Sequence, residues 1–489
     1  MSQKWNRLKI FSEWWRGPMS PVAETWQVPF TESAVKDLFQ IKLGIRAAKI
    51  TKIFNGYVYI TANYWSIFFP LGLIKTIFGI CKGIKTAKSE WSQKALEHAK
   101  DVAESKKADL KNLSLHELFE LCNTVFQKEA EYVALNLYVG IYCFGFEYAL
   151  RWLLPIFVKK CRGVDYKDLL TGFYNKSIEA NVELWKSIDI NAWLATYGHQ
   201  VQDLDVYLPT LQDAPEAAVS LKHQLQQNSE NPEEKFAATA QRRQETEEQV
   251  LANIRKWIPF GRKIFFKLLR VLQSYVSIRE DRPFYYQGQA VARKILLEFG
   301  TRLVRDEKLD SAADIFFLTR EEISDLADQK ELFSKSIVFE RKSLRQSQKD
   351  QIPPANIKEP FLGEFPSKNF SVNEKTEISG IGASKGKRVG RARIIISQAD
   401  FYKFQSGEIL VVESTNPSFA PLLALASGVV TDKGGALCHA AIVSRELGIP
   451  AVVGTESATV IFKDGDYVMI DGDAGVAKKV DQNFALAKI

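Results

Sequence analysis

The stretch KGGALCHAAIVSRELGIP, residues 433–450, decides the fold of the C-terminal part of the chain. It begins with two glycines that predict a turn at the end of a strand, and His439 then opens a helix. Gly448 stands at the usual left-handed stop position of that helix, and Pro450 follows just beyond it. The stretch therefore predicts a strand, a glycine-rich turn and a helix that begins at a histidine.

The position of His439 predicts a chemical role. It would lie among backbone N–H groups without partners in the helix, at the positive end of the helix dipole. This arrangement binds phosphate, and it opposes protonation of the imidazole, so a ring nitrogen stays available as a nucleophile. Most histidines at a helix start are structural; the flanking Gly434 and Gly435 are what favour a phosphate site here.

Two neighbours of His439 have both a functional and a structural interpretation. Arg445 either supplies a positive charge to a phosphoryl group or pairs with Glu446 on a solvated surface. Cys438 is either a catalytic thiol or a small packing residue. Packing is favoured for Cys438, because no base stands at a suggestive spacing from it.

The sequence around this stretch predicts a compact domain of strands and helices at 376–489. Short strands are predicted at 389–396, 408–412, 428–431 and 467–470, and helices at 417–426 and 439–447. Residues 343–375, which precede the domain, are rich in charged residues, Gln, Ser and Pro. Such a composition cannot bury a core and indicates a semi-stiff linker.

Residues 1–342 have a mostly helical pattern, because apolar residues recur at three- and four-residue spacing. Within them, residues 224–249 are almost purely polar and predict a loop followed by a solvated helix. The fold class is therefore multidomain, α plus α/β. A large mainly helical N-terminal domain at 1–342 is followed by the linker at 343–375 and the compact domain at 376–489.

The composition of the 489-residue chain is that of a globular protein, which excludes collagen-like and wholly disordered classes. The net charge of +7 is too diffuse to indicate a nucleic-acid partner, although it agrees with anionic ligands. Five cysteines without a CxxC pair argue against a disulfide framework or a zinc site, so we expect a cytoplasmic protein. The 31 Phe, 16 Tyr and 10 Trp indicate either an aromatic core or a place for an apolar ligand.

Residues 53–74 carry no charge and are long enough to cross a bilayer. Polar residues, glycines and a proline interrupt them, however, and their first half alternates like a strand. We therefore favour a buried hairpin or core segment, and membrane association is the weaker alternative.

Residues 434–454 resemble the phosphohistidine signature of the mobile, swivelling domain of phosphoenolpyruvate-utilising enzymes. The match extends to 382–386, 390–392 and 415–417. The resemblance implies a β/β/α swivelling phosphohistidine domain in which His439 is phosphorylated in transit. The residues that it marks as phosphate-binding candidates are Gly434, Gly435, Cys438, Arg445 and Thr415.

Shorter motifs upstream resemble the helical acceptor-binding region of rifampin-phosphotransferase-like proteins, which holds an apolar acceptor. These motifs lie at 17–21, 55–60, 170–172, 197–199 and 314–319. The resemblance suggests His199, Arg279, Glu280 and Arg282 as acceptor-domain candidates. For His199 the structural alternative is a buried histidine that caps a turn, and for residues 279–282 it is a solvated salt-bridge patch.

The family resemblance also implies an ATP-grasp domain and a phosphoenolpyruvate-binding barrel, for which we expect no room in this chain. We therefore expect a phosphotransferase component in which His439 carries a phosphoryl group from a separate ATP-grasp partner to a hydroxyl-bearing apolar small molecule. ATP and magnesium would belong to that partner, and no cofactor or metal is expected on this chain. The alternative is a non-catalytic phosphohistidine carrier or regulatory interaction protein.

Overall fold

The structure is a computed structural model of the chain. The ranges that it describes are 4–6, 18–43, 51–61, 70–158, 164–187, 189–200, 204–227, 231–255, 260–330, 334–349, 351, 353–354, 356–358, 361, 365–366, 376–436 and 438–482. Gly17 of the first upstream motif, residues 62–69 and residues 367–375 of the predicted linker lie outside them.

The chain divides into two compact units. The first unit comprises Met1–Val139, Asp203–Pro209 and Tyr285–Ser371, and the second comprises Gly140–Gln202, Thr210–Phe284 and Val372–Ile489. Residues 140–202 and 210–284 are therefore grouped with the C-terminal sheet, and the predicted linker at 343–375 begins inside the helix Lys335–Lys349.

The first unit is mainly helical. A short π-helical stretch at Ala23–Gln27 leads into its first long helix. Its helices are α1 (Val28–Leu43), α2 (Pro70–Ser105), α10 (Gly288–Arg305), α11 (Arg320–Ala327) and α12 (Lys335–Lys349), with the first part of α3 (Leu115–Phe157).

A small antiparallel sheet completes the first unit. Its strands lie in the order β2 (Thr51–Phe54), β3 (Tyr57–Thr61), β1 (Lys4–Asn6) and β4 (Asn356–Lys358). β2 and β3 form a hairpin whose two turn residues, Asn55 and Gly56, both have positive φ, as a tight hairpin turn requires. The start of the uncharged stretch 53–74 is therefore a hairpin, as predicted.

Aromatic side chains make up much of the core of the first unit. Trp26 is fully buried, packs against Phe119 and Phe126, and donates its indole N–H to the Asn123 side chain. In this region the aromatic residues form a core, because the Trp26 ring is enclosed and its one polar group has a hydrogen-bond partner.

The motif at 17–21 has a structural role that the sequence analysis did not assign. The backbone N–H and the hydroxyl of Ser20 both donate to the buried carboxylate of Asp205. Arg345 binds the same carboxylate and donates to the carbonyl of Pro18. These contacts make the Asp205 carboxylate a structural anchor for residues 18–20.

The second unit contains a helical part and a sheet. Its helices, besides the end of α3, are α4 (Lys176–Lys186), α5 (Ile190–Tyr197), α6 (Pro215–Gln227), α7 (Pro232–Ala252), α8 (Gly261–Gln273), α9 (Val276–Asp281), α13 (Ala420–Leu425), α14 (His439–Leu447) and α15 (Ala458–Ile461). We call residues 164–200 and 210–284 the helical segment.

Among the described residues, the sheet of the second unit has eight strands in the order β5-β12-β11-β7-β8-β9-β10-β6. The four central strands from β7 to β10 are parallel, and the others pair antiparallel. The strands are β5 (Glu377–Ser379), β6 (Ile381–Ser384), β7 (Lys387–Ile395), β8 (Ile409–Val412), β9 (Gly428–Thr431), β10 (Ala451–Val453), β11 (Tyr467–Asp471) and β12 (Val476–Lys479).

The predicted fold class is confirmed, since a large helical region precedes a compact mixed-sheet domain. The four predicted strands correspond to β7, β8, β9 and β11, and the helix predicted from His439 begins and ends as expected. β5, β6, β10 and β12, which have three or four residues each, were not predicted. Among the described helices, none is long and apolar enough to cross a membrane.

Candidate functional site

The loop between β9 and α14 brings the predicted nucleophile to a helix start. Gly434 has φ +117°, a conformation that only glycine adopts readily, and a Cβ there would come 2.8 Å from the Cys438 sulfur. Cys438 is the buried N-cap residue, and its N–H is bonded to the carbonyl of Gly435. The thiol thus fills the space beside Gly434, in agreement with a packing role, and His439 takes the first helical position.

The His439 ring lies between a hydroxyl and a carboxyl group. Nδ1 is 3.0 Å from the hydroxyl oxygen of buried Thr415, and Nε2 is 3.7 Å from Oε2 of Glu280. The imidazole is only 9% exposed. The hydroxyl contact orients the ring, so that its second nitrogen faces the carboxyl group.

Glu280 reaches the site from α9 in the helical segment. Its side chain is 5% exposed, and burial, the largest cause, raises its pKa to about 7. Arg279, Arg282 and Arg445 oppose this shift by charge. A carboxyl group with such a pKa exchanges protons readily at neutral pH, which suits a general base or acid.

Residues 279–282 do not form the solvated salt-bridge patch that was the structural alternative. Glu280 and Arg282 are both buried, and Arg279 is partly buried. Arg282 lies against α3, where a Cβ on Gly140 would come 2.6 Å from its guanidinium. Asp281 accepts the backbone N–H of Lys176, and burial raises the pKa of its carboxyl to about 6.

Arg445 and Glu446 also differ from the solvated pair of the structural alternative. Arg445 donates from Nη1 to the carbonyl oxygens of Ala383 and Ala436, so it connects β6 to the glycine-rich loop. A role of Arg445 in phosphate binding stays a prediction. Glu446 is 2% exposed and accepts the backbone N–H of Gly172 at 2.6 Å.

The contact between Glu446 and Gly172 was missed by the sequence analysis. Glu446 stands seven residues after His439, which places both on one face of α14, and that spacing was the available signal. Burial, the largest cause, raises the pKa of Glu446 to about 8. The Leu-Thr-Gly motif at 170–172 therefore has a role in the fold, because its Gly172 N–H donates the hydrogen bond that holds this carboxyl group.

Helix α7 packs against the same helix α14. The Thr239 hydroxyl donates to the backbone carbonyl of Glu446 at 2.8 Å, and Arg243 and Glu247 are buried on this side of α7. The prediction of a solvated helix in residues 224–249 is therefore wrong for one face of α7. The sequence favoured a solvated face for α7, because Arg and Glu side chains are rarely buried unless they are paired.

His199 is fully buried, and its Nε2 lies 2.6 Å from the carbonyl oxygen of Phe284, to which it donates. Its ring also meets the Phe284 ring edge-on at 5.0 Å. The histidine thus fixes the end of the segment that contains Glu280, in line with the structural alternative. Its part in acid–base chemistry stays a prediction.

Two cavities bear on where an acceptor could bind. A cavity of about 30 Å³ is lined by Arg279, Arg445 and Cys143 among others, and it has room for a water molecule or two. A cavity of about 710 Å³ lies among α1, α2 and α3 of the first unit. His439 is not among the lining residues of either one.

Two protein families match parts of the chain. Residues 404–475 match the PEP-utilising enzyme mobile domain, and residues 176–280 match the rifampicin phosphotransferase fourth domain. The first match contains Thr415 and His439, and the second ends at Glu280. The matched regions therefore include both sides of the site, and they confirm the resemblance seen in the sequence.

Several curated proteins are similar to parts of the chain. An uncharacterised phosphotransferase, YvkC, of Bacillus subtilis is 27% identical over 66% of this chain and 40% of its own length. Rifampicin phosphotransferase of Bacillus cereus is 31% identical over 42% of this chain and 23% of its own length. A probable phosphoenolpyruvate synthase of Archaeoglobus fulgidus is 47% identical over 22% of this chain and 14% of its own length. The chain thus spans less than half the length of each of these relatives.

Proposed function

Because the chain carries the mobile domain of PEP-utilising enzymes and the fourth domain of rifampicin phosphotransferase, we propose that it is a phosphotransferase component. His439 carries the phosphoryl group, and a separate ATP-grasp protein supplies it from ATP with magnesium. The acceptor is a hydroxyl-bearing apolar small molecule. The observation that carries the proposal is the His439 imidazole held between Thr415 and the buried Glu280.

The proposed transfer uses the two ring nitrogens differently. Nδ1 is held by the Thr415 hydroxyl, and Nε2, which faces Glu280, carries the phosphoryl group. An acceptor hydroxyl oxygen attacks the phosphorus, the P–N bond breaks, and its electron pair returns to Nε2. Glu280 takes the hydroxyl proton, for which a pKa of about 7 is well placed.

The arginines near the site supply positive charge in this proposal. Arg279, Arg282 and Arg445 already lower the pKa of Glu280 by charge, so their field reaches the carboxyl group next to His439. Phosphoryl transfer depends mainly on positioning and on charge around the moving oxygens. Gly434, Gly435 and the helix start complete the proposed phosphate site with backbone groups.

The alternative function is a phosphohistidine carrier that regulates docking and does no chemistry on an acceptor. The observation that favours it is the burial of His439, whose imidazole is only 9% exposed beside Glu280. A phosphoryl group on this ring would bring negative charge next to a buried carboxylate, and the two would repel each other. The swivelling domain would then leave the helical segment.

The test is a labelling experiment on the full chain with labelled ATP and an ATP-grasp protein. We expect an acid-labile label on the wild type and none on His439→Ala. His116→Ala is the matched control, because His116 is 61% exposed and contacts Asp328 in the first unit. Phosphoramidate, a chemical donor that phosphorylates histidine without a partner, gives a second measure of the same residue. Equal labelling of His439→Ala and the wild type would end the proposal.

The two functions are then separated by what happens to the label. Transfer to an apolar alcohol or phenol in a panel of small molecules supports the enzyme. A stable label together with faster proteolysis between the swivelling domain and the helical segment supports the regulatory carrier.

A further inference from the structure

Helix α8 presents an unusual outer surface that the proposed function does not use. Its inner face, formed by Phe265, Leu269 and Leu272, is buried in a core cluster with Leu150 and Leu169. Four further apolar side chains point outward at helical spacing. This apolar stripe consists of Phe260 at 77%, Ile264 at 45%, Leu268 at 38% and Val271 at 37% exposure.

Basic residues border the apolar stripe. Arg262, Lys263 and Lys267 are exposed on α8, and Arg270 is half-exposed with a bond to Glu247. Between Glu248 and Glu280 the chain contains no acidic residue at all. In the described part of the chain Arg262, Lys263 and Lys267 form no ion pair, so their charge faces outward.

The start of α8 adds a strained aromatic residue to this surface. Phe260 has φ +53°, in the left-handed region that a bulky side chain rarely adopts, and it is the most exposed residue of the apolar stripe. Such strain persists only where the surrounding structure imposes it, and it concentrates at functional positions. The backbone here holds a phenylalanine out in the solvent.

Helix α3 exposes apolar side chains beside the same core cluster. Its inner residue Phe157 packs against Phe265 of α8 at 5.5 Å, while Trp152 and Ile156 are 74% and 53% exposed. Helices that lie in a membrane interface typically carry Trp and Phe side chains next to Lys and Arg. Lysine is depleted at protein–protein interfaces, so the composition favours a lipid surface over a protein partner.

We propose that the outer face of α8 binds the surface of a membrane that contains anionic lipids. Phe260, Ile264 and Leu268 enter the boundary between headgroups and acyl chains, and Lys263 and Lys267 remain at the level of the phosphates. This needs no spanning helix and does not involve residues 53–74. The inference is independent of the proposed function, because it uses neither His439 nor Glu280.

The test is co-sedimentation of the full chain with phosphatidylcholine vesicles, with and without phosphatidylserine. We expect binding to the anionic vesicles that weakens as salt rises, since lipid and lysine charges are screened. The double change Lys263→Glu and Lys267→Glu is expected to lower the partition coefficient at least about tenfold. Ile264→Asp with Leu268→Asp is expected to abolish binding.

Two matched variants control for unspecific effects. Lys107→Glu with Lys111→Glu makes the same charge change at exposed lysines of the first unit. Phe339→Asp with Leu344→Asp removes exposed apolar side chains of α12, which are 72% and 57% exposed. Both control pairs are expected to bind vesicles like the wild type, and all variants should keep the wild-type circular dichroism spectrum.

Three outcomes would overturn the proposal. The first is no binding to anionic vesicles, and the second is equal loss of binding in the control variants. The third is a concentration-dependent dimer of the wild type that Ile264→Asp with Leu268→Asp disrupts, without vesicle binding. That result would assign the surface to a second copy of the chain.

Discussion

The loop and helix at 428–448 and the helical segment at 164–200 and 210–284 supply the two sides of the His439 site by different means. In the loop and helix, the conformation is local: Gly434 and Gly448 have positive φ and set the turn and the helix end. In the helical segment, the groups that matter come from distant positions, such as Gly172 and Glu280, and long-range contacts hold them. In the proposed function, the first region carries the nucleophile, and the second supplies acid–base chemistry and docking.

The comparison of the two regions becomes sharpest if one substitution separates loading of His439 from transfer of its phosphoryl group to an acceptor. Glu280→Gln keeps the shape of the side chain but removes the base, so we expect transfer to an acceptor to fall by about 10²–10⁴-fold. Loading of His439 from the donor is expected to change little, because that step uses the loop and helix at 428–448. The measurement is single-turnover discharge of labelled protein in the presence of an acceptor.

The contradictory outcome would be an equal loss of loading and discharge. That result would mean that the reactivity of the His439 ring depends on Glu280 in both steps. Glu245→Gln, at an exposed position of α7, is the matched control and should discharge like the wild type.

A glycine exchange in each region tests the difference in their backbones. Gly172 has φ +70°, and a Cβ there would lie 2.5 Å from the Cα of Ala240, so Gly172→Ala combines strain with a backbone clash. We expect it to lower the free energy of unfolding by about 3 kcal/mol. The measure is the urea midpoint, read together with hydrogen exchange of α14.

Gly435→Ala is the control from the loop region. A Cβ on Gly435 would meet no atom within 4 Å, and the expected change is below about 0.5 kcal/mol. Equal effects of the two exchanges would contradict the proposed role of Gly172 as a close-packed docking point.

The third prediction, smallest when it is counted per pH unit, concerns the docking carboxyl group of Glu446. Its pKa rises from 4.5 to about 8 in the folded chain, so the folded state holds a proton that the unfolded state has lost. The stability from this group is present below pH 4.5 and is lost as pH rises through about 8, with a slope of at most about 1.4 kcal/mol per pH unit. Glu446→Gln keeps the acceptor for the Gly172 N–H, so it should flatten this decline.

The measurement is the free energy of unfolding across that pH window. Glu248→Gln, at an exposed position of α7, should retain the wild-type slope. A slope that is unchanged in Glu446→Gln would mean that the group ionises without cost and is not buried in solution.

The two regions also differ in how far sequence reasoning could describe them. Glycines, a helix stop and a proline have local meanings, so the turn and α14 could be predicted from residues 433–450 alone, while the role of His439 as nucleophile stays a prediction. The buried state of Glu280 and Glu446 could not, because burial depends on which distant element packs against them. Charged residues on a helix favour a solvated face by default, and for Arg282, Arg243 and Glu446 that default was wrong.

The face of α14 that carries both His439 and Glu446 has a consequence for the order of events. Glu446 contacts Gly172 while His439 faces Glu280, so this face is covered when the domain rests on the helical segment. In the proposed function a donor protein has to reach the same imidazole, and it therefore competes with the helical segment for one surface. We therefore expect that donor and acceptor are not engaged at once in the proposed function, and that the steady-state kinetics take the ping-pong form, with the phosphorylated chain as the intermediate between two half-reactions.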